Sequence, residues 1–247
     1  MYRKLDCIAL RTVKYSDKNA ILSAFSREEG RVSLLVPAGT GRAAARLRAL
    51  MMPMGMFECV AEIRPARDIL PVRDVRPITL PPIGDPLRSS LALFLADILG
   101  GVLREQAADP SLFQFLERAI NLLGDVPSAT NPHPLTAKAL CNFHIWFLLR
   151  LTVPLGIEPD WSTYRPGSYF DLTGGIFRTL PPSHRNFLPQ GESATGRLLS
   201  RLTPRNLGHL QLTRFERNTV LDRILLYFRT HFPSLGEPAS LSVLRML

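Results

Sequence analysis

Leu5 to Tyr15 reads LDCIALRTVKY, Asn19 to Ser26 reads NAILSAFS and Arg31 to Pro37 reads RVSLLVP. The first stretch alternates, with Ile8, Leu10 and Thr12 on one face and Cys7, Ala9, Arg11 and Val13 on the other, the period of two that a half-buried strand requires. The other two flank Arg27-Glu28-Glu29-Gly30, whose glycine can take positive φ at the end of a hairpin loop, so they are expected to pair. Met56 to Ile63 and Leu70 to Leu80 add two more strand patterns, separated by a Pro-containing turn at Arg64 to Asp68. Five short strands in eighty residues, with one longer connection at Ala38 to Pro53, predict a small closed barrel.

In strand number and spacing that barrel is of the OB kind, with an SH3-like barrel as the alternative. Beyond Pro81-Pro82-Ile83-Gly84 the period changes from two to that of a helix. Asp85-Pro86 places an N-cap before a proline at the first helical position, and Leu87, Leu91, Phe94, Leu95, Ile98 and Val102 follow at helical spacing. Asp109-Pro110 repeats the signal before Phe113, Leu116, Ile120 and Leu123, with Gly124 as the stop. Leu135 to Leu151 is apolar nearly all round and predicts one central buried helix, ended by Pro154 and Gly156. Thr213-Arg214-Phe215-Glu216 is a capping box opening a last long helix, with Leu221, Ile224, Leu225, Phe228 and Phe232 inward. The fold class is therefore α+β and multidomain: an OB-fold domain at 1–80, then an all-α helical domain at 81–247, with an irregular loop insertion at about 154–190.

Of the 247 residues 46% are apolar and 21% charged, enough apolar surface for a core and too much for a disordered chain. The longest apolar run, Leu91 to Leu103, is broken by Asp97 and is shorter than the roughly 18 residues a membrane span needs. No signal-peptide core precedes the first strand, and Cys7, Cys59 and Cys141 are odd in number and far apart, so a cytoplasmic protein with reduced thiols is expected. The charge is uneven. Against a total of +9, residues 1–80 carry 14 basic and 8 acidic side chains, residues 81–155 carry 5 and 6, and residues 156–247 carry 11 and 7.

No catalytic constellation is present. Phosphate-loop, dinucleotide, zinc-protease and nucleophile-elbow motifs are missing, and Gly39-Thr40-Gly41-Arg42 has the glycines of a phosphate loop without its Lys-Ser/Thr. Cys141 and His144 have the spacing of half a zinc site, but they sit in the most apolar helix and no second pair lies elsewhere; His133, His184, His209 and His231 are isolated. No cofactor or metal is expected. Arginine stands out instead: 26 of the 30 basic residues are Arg, the planar donor suited to phosphate. Arg42, Arg46 and Arg48 come without an acid in the long connection beside the presumed groove, and Arg11, Lys14, Lys18, Arg27 and Arg31 come from the first three strands and their loops. That pattern tracks a nucleic-acid backbone; a solvated basic face is the bland alternative.

The order of these features resembles the RecO family of DNA repair proteins, which are recombination mediators. The resemblance rests on CIALRTVKYSD, SREEGRVSLLVPAG, GRAAARLRAL with Pro53, DPLRSSLALFLADIL, DPSLFQFLERAINLL, NFHIWFLLRL, Leu155-Gly156-Ile157-Glu158-Pro159 and Tyr169-Phe170-Asp171-Leu172. It covers about residues 1–230 and is most similar to the Bacteroidetes branch. It implies no catalytic centre, binding to single- and double-stranded DNA, annealing of complementary strands, and a place at the nucleoid. The implied partners are RecR, the acidic C-terminal tail of single-stranded-DNA-binding protein and, through loading at gaps, RecA recombinase. A concave apolar pocket with a basic rim would suit that tail, and Arg214, Arg217 and Arg223 on the closing helix are the candidate rim. Many relatives carry a four-cysteine zinc module after the central helix; this chain has no cysteine beyond Cys141, which implies a metal-free loop from Pro154 to Arg178 packed on Trp161, Tyr164, Tyr169 and Phe170. Relatives often carry Lys-Ser after the position of Gly39, where this chain has Ala44-Ala45-Arg46. Two other readings remain, a general OB-fold single-strand binder without mediator activity and a nucleic-acid enzyme with an unrecognised centre.

Overall fold

The computed structural model describes residues 1–64, 68–81, 84–124 and 134–246, without the side chains of Arg42 and Ala43. Part of the Arg64–Asp68 turn, Pro82-Ile83 and His133 therefore lie outside the described residues. The contact pattern divides the chain into two compact units, Met1–Pro134 with Glu237–Met246, and Leu135–Gly236.

Five strands open the first unit: β1 (Tyr2–Lys14), β2 (Asn19–Ser26), β3 (Gly30–Pro37), β4 (Met56–Glu62) and β5 (Ile69–Thr79). They close into a barrel in the order β1-β2-β3-β5-β4, with β4 returning to β1. Only the β3–β5 pair is parallel. Leu5, Cys7, Ala9, Leu22, Leu34, Phe57 and Cys59 fill the interior, all fully buried. This is the OB-type barrel read from the strand patterns, and the long connection after β3 holds a helix, α1 (Arg42–Leu50), that the strand periodicity did not announce.

The alternation read for the first strand is interrupted. Ala9 pairs with Ala24 and Arg11 with Ser23, so Leu10 is an extra residue in the ladder, a β-bulge. One inserted residue flips the parity of all that follows. Cys7 and Ala9 line the barrel, but Arg11 does not share their face; Thr12 and Lys14 stand opposite the buried Leu22 and Ala20 instead. Ile8 and Leu10 are buried as well, because α2 (Pro86–Val102) packs on β1.

Asp85 caps α2 by accepting from the N–H groups of Leu87 and Arg88, and Asp109 caps α3 (Pro110–Leu123) by accepting from Ser111 and Leu112. Both caps occupy the residue before a proline, where the missing N–H costs nothing. The change of period after residue 80 separates strand from helix, whereas the compact unit continues through α2 and α3, which share its packing. Phe113 of α3 sets its ring 6.3 Å from that of Phe25 on β2.

In the second unit the apolar stretch after Leu135 is two helices, α4 (Ala137–Cys141) and α5 (Phe143–Leu151), where one was expected. Asn142 makes the break. Its Nδ2 donates to the carbonyls of Leu207 (3.1 Å) and Leu210 (2.9 Å), and the chain turns through tight three-residue hydrogen bonds on both sides. The stretch expected to be irregular carries a small antiparallel sheet, β6 (Tyr169–Asp171), β7 (Ile176–Arg178) and β8 (Phe187–Leu188), in the order β7-β6-β8. Phe170, Leu172, Phe177, Leu188 and Tyr227 form its core, with Trp161 and Tyr164 packed against them. Asp171 pins the β6–β7 turn by accepting from the N–H groups of Thr173 and Gly174 and from Arg178 Nε at 2.9 Å, while His184 Nε2 lies 3.3 Å away. Burial pushes its carboxyl up, but those hydrogen bonds outweigh burial and hold it below the ordinary carboxylate range.

Two further helices complete this unit, α6 (Gln190–Leu199) and α7 (Arg214–His231). The Thr213–Glu216 capping box opens α7 as read. The chain then returns to the first unit with α8 (Leu241–Arg245), which packs on α2. No helix among the described residues is long and apolar enough to cross a membrane.

Candidate nucleic-acid interface

At the end of the barrel where β1 finishes and β3 leaves, the first unit has a cleft of about 840 Å³. Its cations are Arg11, Lys14 and Arg48, and its apolar floor is Met51, Met52, Pro53 and Leu93. The bulge at Leu10 takes Arg11 off the face that fills the barrel, and it is exposed. Arg48 reaches the same cleft from the last turn of α1 and fastens to the carbonyl of Gly39 at 2.6 Å, which holds that charge beside the Gly39-Thr40-Gly41 turn.

Two acids also line the cleft, and neither opposes Arg11. Asp17 is taken by Lys14 at 2.9 Å. Asp97 of α2 accepts from the backbone N–H (3.0 Å) and hydroxyl (2.6 Å) of Ser240, in the segment that leads into α8. What remains is a positive rim over a methionine, proline and leucine floor, with Met52 46% and Leu93 42% exposed. Such a surface offers phosphate contacts from its rim and apolar contact from its floor.

The eight basic residues singled out from the sequence do not gather in one place. Arg11, Lys14 and Arg48 do. Arg46 on α1 and Lys18 in the β1–β2 turn are exposed outside the cleft lining, and the Arg42 side chain lies outside the described residues. Arg27 sits at the far end of β2, with its guanidinium carbon 4.2 Å from the centre of the Phe113 ring, Nη2 3.3 Å from Glu117 and Nε 3.5 Å from Asp6. Its charge is balanced inside the fold. Arg31 lies near the same end of the hairpin. Strand β2 spans about 24 Å at the usual rise of ~3.4 Å per residue, so these two cannot share a phosphate with Lys18.

Sequence reasoning missed the floor and the far wall. Met51, Met52 and Pro53 belong to the α1–β4 turn, Leu93 and Asp97 to the exposed side of a helix assigned to the next domain, and Ala239 comes from the last ten residues. The Met-Met-Pro-Met run at 51–54 was the available signal, since apolar residues beside a proline in a loop have no strand or helix face to fill.

The three arginines of the closing helix also separate. Arg214 stands in the first turn of α7 and is exposed. Arg217 turns back to the carbonyl of Leu212 at 2.8 Å. Arg223 pairs with Glu192 of α6 at 2.8 Å and lines an apolar cavity of about 140 Å³ walled by Leu149, Leu188, Leu199 and Ile224. Among the described residues no three His, Cys, Asp or Glu side chains gather as a metal site would need.

Comparison with known proteins accounts for both units. Residues 1–80 match the family model described as recombination protein O N terminal, and residues 83–236 the one described as recombination protein O C terminal. The chain is 36% identical over 248 residues to the DNA repair protein RecO of Porphyromonas gingivalis, with 96% of each chain covered. It is 33% identical over 250 residues to that of Phocaeicola vulgatus, covering all of this chain and 99% of the relative, and 31% identical over 252 residues to that of Bacteroides fragilis. With a barrel followed by helices, two family models in the same order and relatives matched end to end, the chain belongs to the RecO family of DNA repair and recombination proteins.

Proposed function

We propose that this protein is a recombination mediator that binds single- and double-stranded DNA without sequence preference, anneals complementary strands, and helps load recombinase at gaps, in the cytoplasm at the nucleoid. The observation that carries the DNA reading is the cleft: three cations, one of them Arg11 without an acid, over an exposed apolar floor. Phosphate contacts release counterions, so affinity for a single strand falls with salt by a log–log slope of about −0.7 per contact. Replacing Arg11 and Arg48 with Ala should weaken binding and flatten the slope by about 1.4. An unchanged slope moves the DNA site away from the cleft. A single-strand binder that neither anneals nor captures partners fits the general OB-fold alternative, and metal-dependent turnover of DNA fits the enzyme alternative.

The second unit supports the partner part of the reading. An acidic tail ending in an apolar residue needs an apolar hole for that residue and a cation for its charge. The cavity supplies the apolar hole and Arg223 the cation, which a tail carboxylate would share with or take from Glu192, with Arg214 and Arg217 on the same helix. Tail peptide of the single-stranded-DNA-binding protein is expected to bind with a micromolar-range Kd, about −8 kcal/mol, and to lose binding with its terminal apolar residue. Charge reversal at Arg223 should weaken it more than reversal at Arg3, which pairs with Glu29 in the barrel. Equal loss at both positions would reduce the attraction to the overall +9 charge. The functional links to RecR and RecA rest on family membership.

A further inference from the structure

At the other end of the β2–β3 hairpin, Gly30 and Arg31 pack their backbone on the turn that carries Arg104. Arg31, the second residue of β3, is half-buried, and its Nη1 is sealed from solvent without a hydrogen-bond partner. Arg104, in the turn after α2, is exposed and close enough for its charge to act on Arg31. Burial, and then that neighbouring charge, hold the Arg31 guanidinium below its ordinary pKa, and no carboxylate works in the other direction. Neither arginine enters an ion pair among the described residues, although Arg27, four residues back, is satisfied by Asp6 and Glu117.

The backbone of Arg31 is fastened to the turn that carries Arg104. The Arg31 N–H donates to the carbonyl of Gln106 at 2.9 Å, and the Gln106 N–H reaches that of Leu103 at 3.4 Å. Gly30 lies so close that a Cβ there would stand 2.3 Å from the Gln106 carbonyl oxygen. Two like charges near one another are unfavourable until an anion joins them, and the N–H groups of the guanidinium other than the sealed Nη1 offer the fork that matches a phosphate oxygen pair.

We propose that Arg31 and Arg104 form a phosphate-binding site separate from the cleft. Seven residue steps along β3 separate Arg31 from the cleft wall at Ala38, about 24 Å at the strand rise, so one phosphate cannot serve both. If the DNA reading holds, the phosphate is that of a second strand held while the first occupies the cleft; free phosphate is the other source. The chemistry of the site does not depend on that reading, but the second strand does.

Two measurements on the full chain separate these sources. In thermal unfolding at constant ionic strength, exchanging chloride for inorganic phosphate should raise the Tm by about 2 °C by mass action, and Arg104→Ala, at an exposed position, should abolish the rise. In a two-strand assay with non-complementary donor- and acceptor-labelled oligonucleotides, Arg104→Glu should keep single-strand affinity within about twofold and lower energy transfer about fivefold. A phosphate response that survives Arg104→Ala overturns the site. A response lost on Arg104→Ala with unchanged two-strand capture supports a site for free phosphate and overturns the second-strand assignment. Equal loss of single-strand affinity in Arg104→Glu and in Arg11→Ala overturns the separation of the sites. If the wild-type protein binds no oligonucleotide yet keeps its phosphate response, the DNA reading fails and the site stands.

Discussion

Gly30 and His144 show how differently single residues announce themselves. Gly30 was legible, because a glycine closing a four-residue acidic turn asks for positive φ, and the φ is +72°. The sequence could not show that its missing side chain also makes room for Gln106 and Ala107, 76 positions away. Gly30→Ala should therefore destabilise the first unit by more than the strain alone, about 1–3 kcal/mol, read as a lowered midpoint in urea. His144 looked like half a metal site and is instead a buried imidazole, pushed down to about 3 by burial, with Arg217 adding to the shift. The unfolded chain protonates it near 6.5, so below that pH the unfolded state takes up a proton that the fold refuses, and stability is lost as pH falls. Between pH 7 and pH 5 the loss should be about 2 kcal/mol, and His144→Leu should remove that part of the pH dependence. Equal slopes in wild type and variant would show the imidazole to be protonated in the fold.

At the scale of elements, what could be read depended on whether the signal was local. Asp85-Pro86, Asp109-Pro110 and Thr213-Glu216 each carry start and cap within four residues, and all three helices begin where the sequence places them. The bulge at Leu10 and the break at Asn142 have no such signature. Each is fixed by what comes from elsewhere: Ala9 exchanges backbone hydrogen bonds with Met54 and Gly55, and Asn142 answers two carbonyls more than sixty residues on. The short strands β6–β8 escaped for the same reason, since two or three residues are too few to show a period. Asn142 is 2% exposed, so replacing it with Ala takes a buried donor from the Leu207 and Leu210 carbonyls and leaves the first with only the 3.3 Å bond from the Leu210 N–H. A loss of about 2–3 kcal/mol is expected, with faster amide exchange around residues 207–210. A change within about 0.5 kcal/mol would mean that those carbonyls find water.

The candidate site was legible at the scale of the molecule only in part, because charge can be counted along a chain and a cleft cannot. Counting placed arginines in the unit that carries the cleft, yet the wall and floor of the cleft are drawn from residues as distant as Met52, Leu93 and Ala239. The last of these depends on the return of the chain. Leu241 and Leu244 of α8 are buried, and Ser240 satisfies Asp97 with two hydrogen bonds, so residues 237–246 belong physically to the barrel unit although the sequence runs through the other unit first. Ending the chain after Gly236 should uncover α2, strip Asp97 of its donors and leave a half-buried carboxylate facing the cations of the cleft. Removing two buried leucines costs about 4 kcal/mol or more, and hydrogen exchange should report it in β1 and α2 while the β6–β7 strands keep their protection. Single-strand affinity should fall as well, and Asp97→Asn in the shortened chain should restore part of it by removing the freed negative charge. If exchange rises equally in both units, residues 237–246 are not a part of the barrel unit alone. If Asp97→Asn restores nothing, the freed carboxylate is not the cause of the lost affinity.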